Sequence, residues 1–528
     1  MRAWPDLARQ VLGARARLAT AAQSVRTRQE QLLLEILARH QGSAFGQRHN
    51  FASIRTLADY QRQVPAHGYE AYVNDMDAMV RGDMQRLVDE PVLAWERTGG
   101  STGGAKLVPL TASGLAAMQH GLYAWLDDLC QAYPAIQAGS SYWSISPAAR
   151  APEVTAGGTP VGMASDADYF GPVAAHLAHV LCVPPAVSAL TDIGTWRTIT
   201  LQAMLADPTL ALVSVWSPTF WLELCRHAVL QKEDLLSHIR RGQWAASIPN
   251  ALQPYLPPPA ANPARAARLA EALSTSTPDW KSVWPQLALI SCWTHASSES
   301  WAAQVGQLFP HVAIQGKGLL ATEGMVSLPI ADGADPVAAI TSTVLEFEDD
   351  TGRAWACDEV ETQGEYTVLL TTSAGLYRYR LGDRVRVTGW WHGAPRLCLL
   401  GRDTASSDLC GEKLTESFVM QCWRSSATSL SLGARLVPQT APSPHYVLVL
   451  ESSDSNEDAA RHIASRLDIA LRANPQYAYA RDLGQLGAIR VRRVDHLAAR
   501  LQALALAQGQ NLGDAKPAVL GRIGELAW

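Results

Sequence analysis

Cysteine pairs at metal-binding spacing are missing from this chain. Its eight cysteines, at 130, 182, 225, 292, 357, 398, 410 and 422, form no C-x-x-C pair. That removes a zinc knuckle and a disulfide framework and leaves reduced, cytoplasmic residence as the expectation. Positive charge is not in excess either: the formal net charge is −5, whereas a nucleic-acid partner demands a basic face. No apolar run approaches the roughly 20 residues of a membrane span; even Pro172 to Leu190 is broken by His176, His179 and the Pro184-Pro185 pair. An arginine-rich start (Arg2, Arg9, Arg15, Arg17, Arg26, Arg28 against Asp6) has the flavour of a transit peptide. The helical pattern, however, runs on through it without a cleavage-like break. No internal repeat is found.

What is present is an ordinary globular composition, 48% apolar and 18% charged over 528 residues, too long for one core and sufficient for two domains. The stretch that stands out is Arg97-Thr-Gly-Gly-Ser-Thr-Gly-Gly-Ala-Lys106. Its glycines let the backbone turn at positive φ and present successive N–H groups, while Ser101, Thr102 and Lys106 add hydroxyls and a cation, the makings of a phosphate cradle. It is not a Walker A loop, because Lys106 comes one place late and Leu107 stands where a hydroxyl is needed. Gly99-Gly100-Ser101-Thr102-Gly103 also fits G-x-S-x-G, but that elbow needs a helix directly after the serine. Here Lys106 to Leu110 is extended and the next helix is expected only from Ala112 to about Cys130.

In chain order, Pro5 to His40 reads as one long amphipathic helix or two, and Thr56 to Asp59 as a capping-box start for a short helix that ends before Pro65. Tyr69 to Arg81 reads as another. Residues 140 to 340 have an α/β texture, with Pro254 to Pro263 as a surface loop inside it. Beyond Ile340 come close-spaced strands (Val344–Phe347, Tyr366–Leu370, Leu376–Tyr379, Val385–Val387, Leu397–Leu400) that suit antiparallel hairpins in a small barrel. A β-α-β tail closes the chain, with strands at Tyr446–Leu450 and Ile489–Val494.

Four further places could carry chemistry. Glu323, in Thr322-Glu323-Gly324, reads on its own as a solvated side chain. Asp383 ends Leu-Tyr-Arg-Tyr-Arg-Leu-Gly-Asp, where a carboxylate after glycine at a strand end can hold the two hydroxyls of a ribose. Arg402, with Asp403, and Lys413 mark a charged, glycine-bearing boundary suited to a hinge. Lys516 lies on an expected loop and says nothing alone.

Taken in this order, the segments resemble the adenylate-forming superfamily of acyl-CoA ligases, luciferases and peptide-synthetase adenylation domains. The cradle is similar to its T-S-G-T-T-G-x-P-K motif at Thr98, Gly100, Thr102, Gly103 and Lys106, with Ser101 for threonine and Gly99 and Ala105 departing. Within it the chain is most similar to the acyl acid amido synthetases that conjugate auxin, jasmonate or benzoates to amino acids, through Leu376 to Asp383 and the following Val385-Arg-Val-Thr-Gly389. The resemblance implies an α/β fold: a large N-terminal domain of α/β subdomains plus a barrel (1–402), and a small mobile C-terminal α/β domain (403–528). It implies a ligase that joins an acid to an amine through an acyl adenylate, with ATP and Mg2+. Thr98, Gly99, Gly100, Ser101, Thr102, Gly103 and Lys106 would hold the triphosphate, and Thr322 would be among the cofactor-binding residues. Glu323 would hold the magnesium and Asp383 the ribose. Arg402 and Lys413 would act at the hinge or on phosphates, and Lys516 during adenylation. Where relatives carry an aromatic before the Thr-Glu pair, this chain has Leu319-Leu320-Ala321.

Three alternatives stay open at this level. An acyl- or aryl-CoA ligase would differ only in its acceptor, a thiol in place of an amine. A serine hydrolase would use Ser101, although no Asp and His partners stand at telling spacings. A non-catalytic nucleotide-binding protein would have no need of Lys106, Glu323 and Asp383 together.

Overall fold

The amphipathic run at the N-terminus does not stay one helix. Gly13 adopts a left-handed φ of 79° and separates Trp4–Val11 from Ala14–Ala22, and a second break at Ser24 precedes Val25–Arg39. Three short helices can turn their apolar stripes separately onto the core, burying Trp4, Leu7, Val11, Leu18, Leu33 and Ile36. Polar bonds fix their seats: Trp4 Nε1 donates to the carbonyl of Gly139 at 2.9 Å. Buried Gln29 donates to the carbonyls of Ile340 and Thr343 and accepts from the N–H of Leu345. Arg15 pairs with Asp128, and Arg26 with Asp358 and Glu359, so these arginines are built into the fold. The computed structural model describes residues 4–98, 106–144, 153–163, 166–275, 277–402, 406–410, 412–426, 433–453, 456–507 and 518–522, with the backbone alone at 166, 297, 402, 417 and 507.

The expected α/β texture is a four-stranded parallel sheet in sequential order: Ser140–Trp143, Leu210–Ser214, Leu289–Cys292 and Ala313–Gly316. Helices Ile193–Ala206, Pro218–Leu230, Lys232–Arg241, Pro263–Ala272 and Glu299–Leu308 connect and cover it. Its two central strands are buried along their length, as parallel strands with helices on both faces must be, while the edge strand Ala313–Gly316 is partly exposed. The proline-rich stretch before Pro263 is the expected loop, with Tyr255 exposed.

The glycine-rich stretch joins the two arms of an antiparallel hairpin, Val92–Arg97 and Leu107–Thr111. Thr111 then caps the long helix Ala112–Ala132, its hydroxyl accepting from the N–H of Gly114 at 3.1 Å. That helix lies tight against the strand Gly324–Met325, since a Cβ at Gly121 would sit 2.1 Å from Met325 Sδ.

The hairpins after Ile340 form a seven-stranded antiparallel sheet, ordered Ser327–Leu328, Val337–Ala338, Ala394–Arg402, Tyr379–Trp391, Glu365–Thr371, Val344–Glu348, Ala354–Ala356. Among the described residues no pairing closes it into a barrel. Two expectations change here. The strands at Leu376–Tyr379 and Val385–Val387 are replaced by one strand starting at Tyr379, because Gly375 (φ 94°) and Arg378 (φ 49°) turn the chain inward first. Asp383 therefore lies within a strand, not at its end, at a bend made by Gly382 (φ 83°).

The inward turn is held by polar side chains. Arg378 Nε donates to both oxygens of Glu346 (3.2 and 3.0 Å) and its NH1 to the carbonyls of Gln61 and Val64. Tyr377 Oη donates to Leu87 O at 2.6 Å, and Tyr72 Oη donates to Tyr377 O. Helix Leu57–Gln63, entered through the capping box at Thr56 and Asp59, is thereby fastened to the sheet.

After the short pair Ser406–Ser407 and Leu414–Thr415 comes helix Glu416–Ser426 and a three-stranded sheet: Arg435–Gln439, His445–Glu451 and, parallel to the latter, Arg490–Val494. Helices Glu457–Leu471 and Pro475–Asp482 make the expected crossover. Its apolar cluster, including Trp423, Tyr446, Leu467 and Tyr477, is separate from those of the preceding residues.

Replacing Arg378 by Met leaves Glu346 buried without its guanidinium, so the variant is expected to lose about 3–5 kcal/mol of stability, measured as a lowered denaturation midpoint with an unchanged m value.

Candidate active site

Lys106 begins the second arm of the hairpin, and its backbone closes the loop at the base. The Thr98 N–H donates to Lys106 O at 2.9 Å and the Lys106 N–H donates to Thr98 Oγ1 at 3.2 Å. The hydrolase elbow is overturned by this geometry: a strand, not a helix, follows the loop, and the next helix starts only at Ala112. Gly99, Gly100, Ser101, Thr102 and Gly103 lie outside the described residues, as does Lys516.

From this base a run of aromatic side chains leads to the candidate carboxylates. Lys106 Nζ lies 5.0 Å from the ring centroid of Tyr69, a cation–π contact. Tyr69 Oη donates to the carbonyl of Leu107 at 3.1 Å. Burial pushes the Tyr69 phenol up, its bond to Leu107 works against that, and the charges of Asp77 and Glu323 add to the rise.

Glu323 belongs to a two-residue turn, Thr322-Glu323, between Leu320–Ala321 and Gly324–Met325, which pair antiparallel. Its side chain is only 8% exposed, against the solvated glutamate that the sequence suggests, whereas Thr322 beside it is exposed. Tyr379 Oη donates to Glu323 Oε1 at 3.4 Å. A buried carboxylate is a hard oxygen donor of the kind Mg2+ takes together with phosphate oxygens.

Tyr379 opens the strand that carries Asp383. Residues 379, 381, 383, 385, 387 and 391 are the buried ones of that strand, and Tyr379 and Asp383 lie on either side of an irregularity in its pairing, where Arg380 faces Leu369 and Arg384 faces Thr367. Asp383 is 1% exposed and stands opposite Arg402 on the neighbouring strand. The structure thus sets Lys106 on Tyr69, whose phenol feels the charge of Glu323, and Tyr379 beside Glu323, while Asp383 stands opposite Arg402 four residues further along that strand. Lys413 stands apart on the following hairpin, exposed and with a left-handed φ of 43°. Its neighbour Glu412, which the sequence reading passed over, is fully buried and accepts from the N–H groups of Leu409 and Cys410 and from Tyr446 Oη.

A second residue passed over lies one turn before Glu323. Lys317 follows the last parallel strand and is buried, its Nζ donating to Ser214 Oγ at 2.9 Å. The ring centroids of Trp125 and Trp216 lie 4.7 and 4.8 Å from that nitrogen. Burial pushes its pKa down to about 7, with a slight opposing pull from Cys292. The only sequence signal was a lysine between two glycines after an apolar run. Among the described residues, the group with metal-ligand spacing is His295, Asp335 and Cys398, away from Glu323 and with nitrogen and sulfur donors foreign to Mg2+. His295 Nε2 and Asp335 Oδ1 are 2.9 Å apart, within hydrogen-bond distance.

Comparison with known proteins places this geometry in a family. The chain is 31% identical over 165 residues to a probable indole-3-acetic acid-amido synthetase of Oryza sativa subsp. japonica, an alignment covering 27% of the chain and 33% of that relative. It spans a third to a half of the length of the first curated relatives it matches. Among solved structures it superposes on the AtGH3.15 acyl acid amido synthetase in complex with 2,4-DB with a TM-score of 0.83 at 18% identity, covering 96% of this chain and 93% of that one. A more distant likeness, TM-score 0.53 at 10% identity over 93% of each chain, is to a 2-hydroxyisobutyryl-CoA ligase in the postadenylation state. Those superpositions establish the adenylate-forming α/β fold. No helix among the described residues is long and apolar enough to cross a membrane. With the family's N-terminal domain matched at 14–314, its central domain at 341–402 and its C-terminal domain at 422–522, the chain belongs to the GH3 family.

Proposed function

We propose that this protein is an ATP-dependent ligase that adenylates a small carboxylic acid and passes the acyl group to an amine, an amino acid, in the cytoplasm. What supports the reading is the burial of Glu323 and Asp383, with Glu323 beside Tyr379 of the strand that carries Asp383 and within electrostatic reach of Tyr69, on which Lys106 packs. Family membership and the names of relatives that make amides of indole-3-acetic acid and jasmonate support it.

In the first half-reaction a carboxylate oxygen of the acid attacks the α-phosphorus of ATP, the bond to pyrophosphate breaks, and the acyl adenylate forms. In the second, the amine nitrogen attacks the acyl carbon, the bond to AMP oxygen breaks, and the amine gives up a proton. The protein's part is to position reactants and hold developing phosphoryl charge. Thr98 to Lys106 would grip the phosphates, Lys106 as a point charge, and Asp383 would accept hydrogen bonds from the ribose hydroxyls. Mg2+, held by Glu323 and phosphate oxygens, would supply neutralising charge at the triphosphate. A C-terminal unit from residue 403 would turn between the half-reactions about Arg402 and Lys413, bringing Lys516 in for adenylation.

ATP–pyrophosphate exchange with a panel of aryl, indole and aliphatic acids tests the reading. Acid-dependent exchange is expected, reduced about 100-fold or more in Asp383→Ala, while Ser101→Ala weakens it without abolishing it. Absence of exchange with every acid would overturn the assignment. In Glu323→Gln the Mg2+ concentration for half-maximal exchange is expected to rise about tenfold, read from a Mg2+ titration at fixed ATP. With acyl adenylate formed, amino acids are expected to release AMP faster than coenzyme A does; the reverse would make the enzyme a thioester-forming ligase.

A further inference from the structure

A buried ammonium needs an anion, and Lys317 has none among the described residues. Its hydrogen-bonding partner is the neutral Ser214 hydroxyl, its flanks are the faces of Trp125 and Trp216, and the titratable group facing it, Cys292, is a thiol held protonated by burial, with a pKa of about 12. Charges taken out of water are ordinarily paired. An ammonium has three protons to donate and Ser214 takes one.

Position adds a second argument. The parallel strands end at Trp143, Ser214, Cys292 and Gly316, so Lys317 and Trp216 lie just beyond their carboxyl ends, where open α/β sheets bind ligands. Two more donors stand in the same neighbourhood. Gln315, two residues before Lys317 and 6% exposed, accepts from Trp125 Nε1 at 3.0 Å, but its Nε2 has no acceptor among the described residues. Trp143 Nε1 is likewise buried without one among them, and its ring packs on Trp125 and Phe170 with centroids 5.4 Å away in each case. Donors without acceptors among the described residues, beside indoles tilted against one another, fit a ligand that only accepts hydrogen bonds at one end and is flat and apolar at the other.

We propose that Lys317 anchors the carboxylate of an aromatic carboxylic acid at the carboxyl edge of the parallel sheet, with Gln315 and the surrounding tryptophans completing the subsite. This rests on the acid-adenylating reading above and names its substrate class.

The test compares wild type with Lys317→Met, a substitution of similar shape that removes the charge, and with Ser214→Ala, which removes only its orienting bond. Benzoate, indole-3-acetate and hexanoate, with the primary amides of the first two, are titrated by tryptophan fluorescence without ATP and then as acids in pyrophosphate exchange. In Lys317→Met the KM for the aromatic acids is expected to rise on the order of 10- to 100-fold with the KM for ATP unchanged; Ser214→Ala shifts the same constant in the same direction by less. Wild type prefers each acid to its amide, and Lys317→Met loses that preference. Because the acid binds the protonated amine, whose pKa is about 7 in the free protein, wild-type affinity for benzoate falls as pH rises past that value, and the fall disappears in Lys317→Met. An unchanged KM for the acids, a loss confined to kcat, or a preference for hexanoate over both aromatics would overturn the proposal. If nothing is exchanged but acids still bind in a Lys317-dependent way, the adenylation reading fails and the subsite stands; if exchange proceeds normally in Lys317→Met, the subsite fails and adenylation stands.

Discussion

The structure depends on one buried ion pair. Arg378 sits at positive φ, costly for a side chain with a Cβ, and stays there because Glu346 binds its Nε, the carbonyls of Gln61 and Val64 bind its NH1 and the Thr371 hydroxyl accepts from its backbone N–H. The turn it enforces tucks Tyr377 under Tyr72 and Leu87, starts the next strand at Tyr379, and so sets the register that puts Tyr379 beside Glu323 and Asp383 opposite Arg402. The most recognisable motif of the chain is thus mostly framework. Of Leu376 to Asp383, Asp383 is the candidate ligand contact and the residues before it hold it in place.

Segments governed by local rules were legible in the sequence. The capping box at Thr56, the extended arms around the glycine-rich loop, the helix from Ala112 and the β-α-β tail all rest on periodicity or spacing within a few residues. Leu376 to Tyr379 misled because a buried, inward-turning segment flanked by aromatics has the same apolar alternation as a strand. The N-terminal helix was read too long because Gly13 costs only about 1 kcal/mol within a helix and so marks a break weakly.

The sequence offers candidate site residues one by one and gives none of them a place. Lys106 meets Tyr69, Tyr379 meets Glu323 across 56 residues, and Lys317 meets Ser214 across 103. Such contacts are decided by sheet order and packing, which composition does not reveal. Burial was the other hidden variable: Glu323 and Lys317 belong to residue types that are normally solvated, and only the fold shows them withdrawn from water.

The contact at Gly121 joins two parts of the candidate site. The helix bearing Trp125 packs there on Met325, and Met325 belongs to the hairpin that carries Glu323, so the wall of the proposed acid subsite and the candidate metal ligand meet through one side chain. Any side chain in place of the hydrogen at residue 121 would press on that methionine and, through it, on the turn that holds the carboxylate.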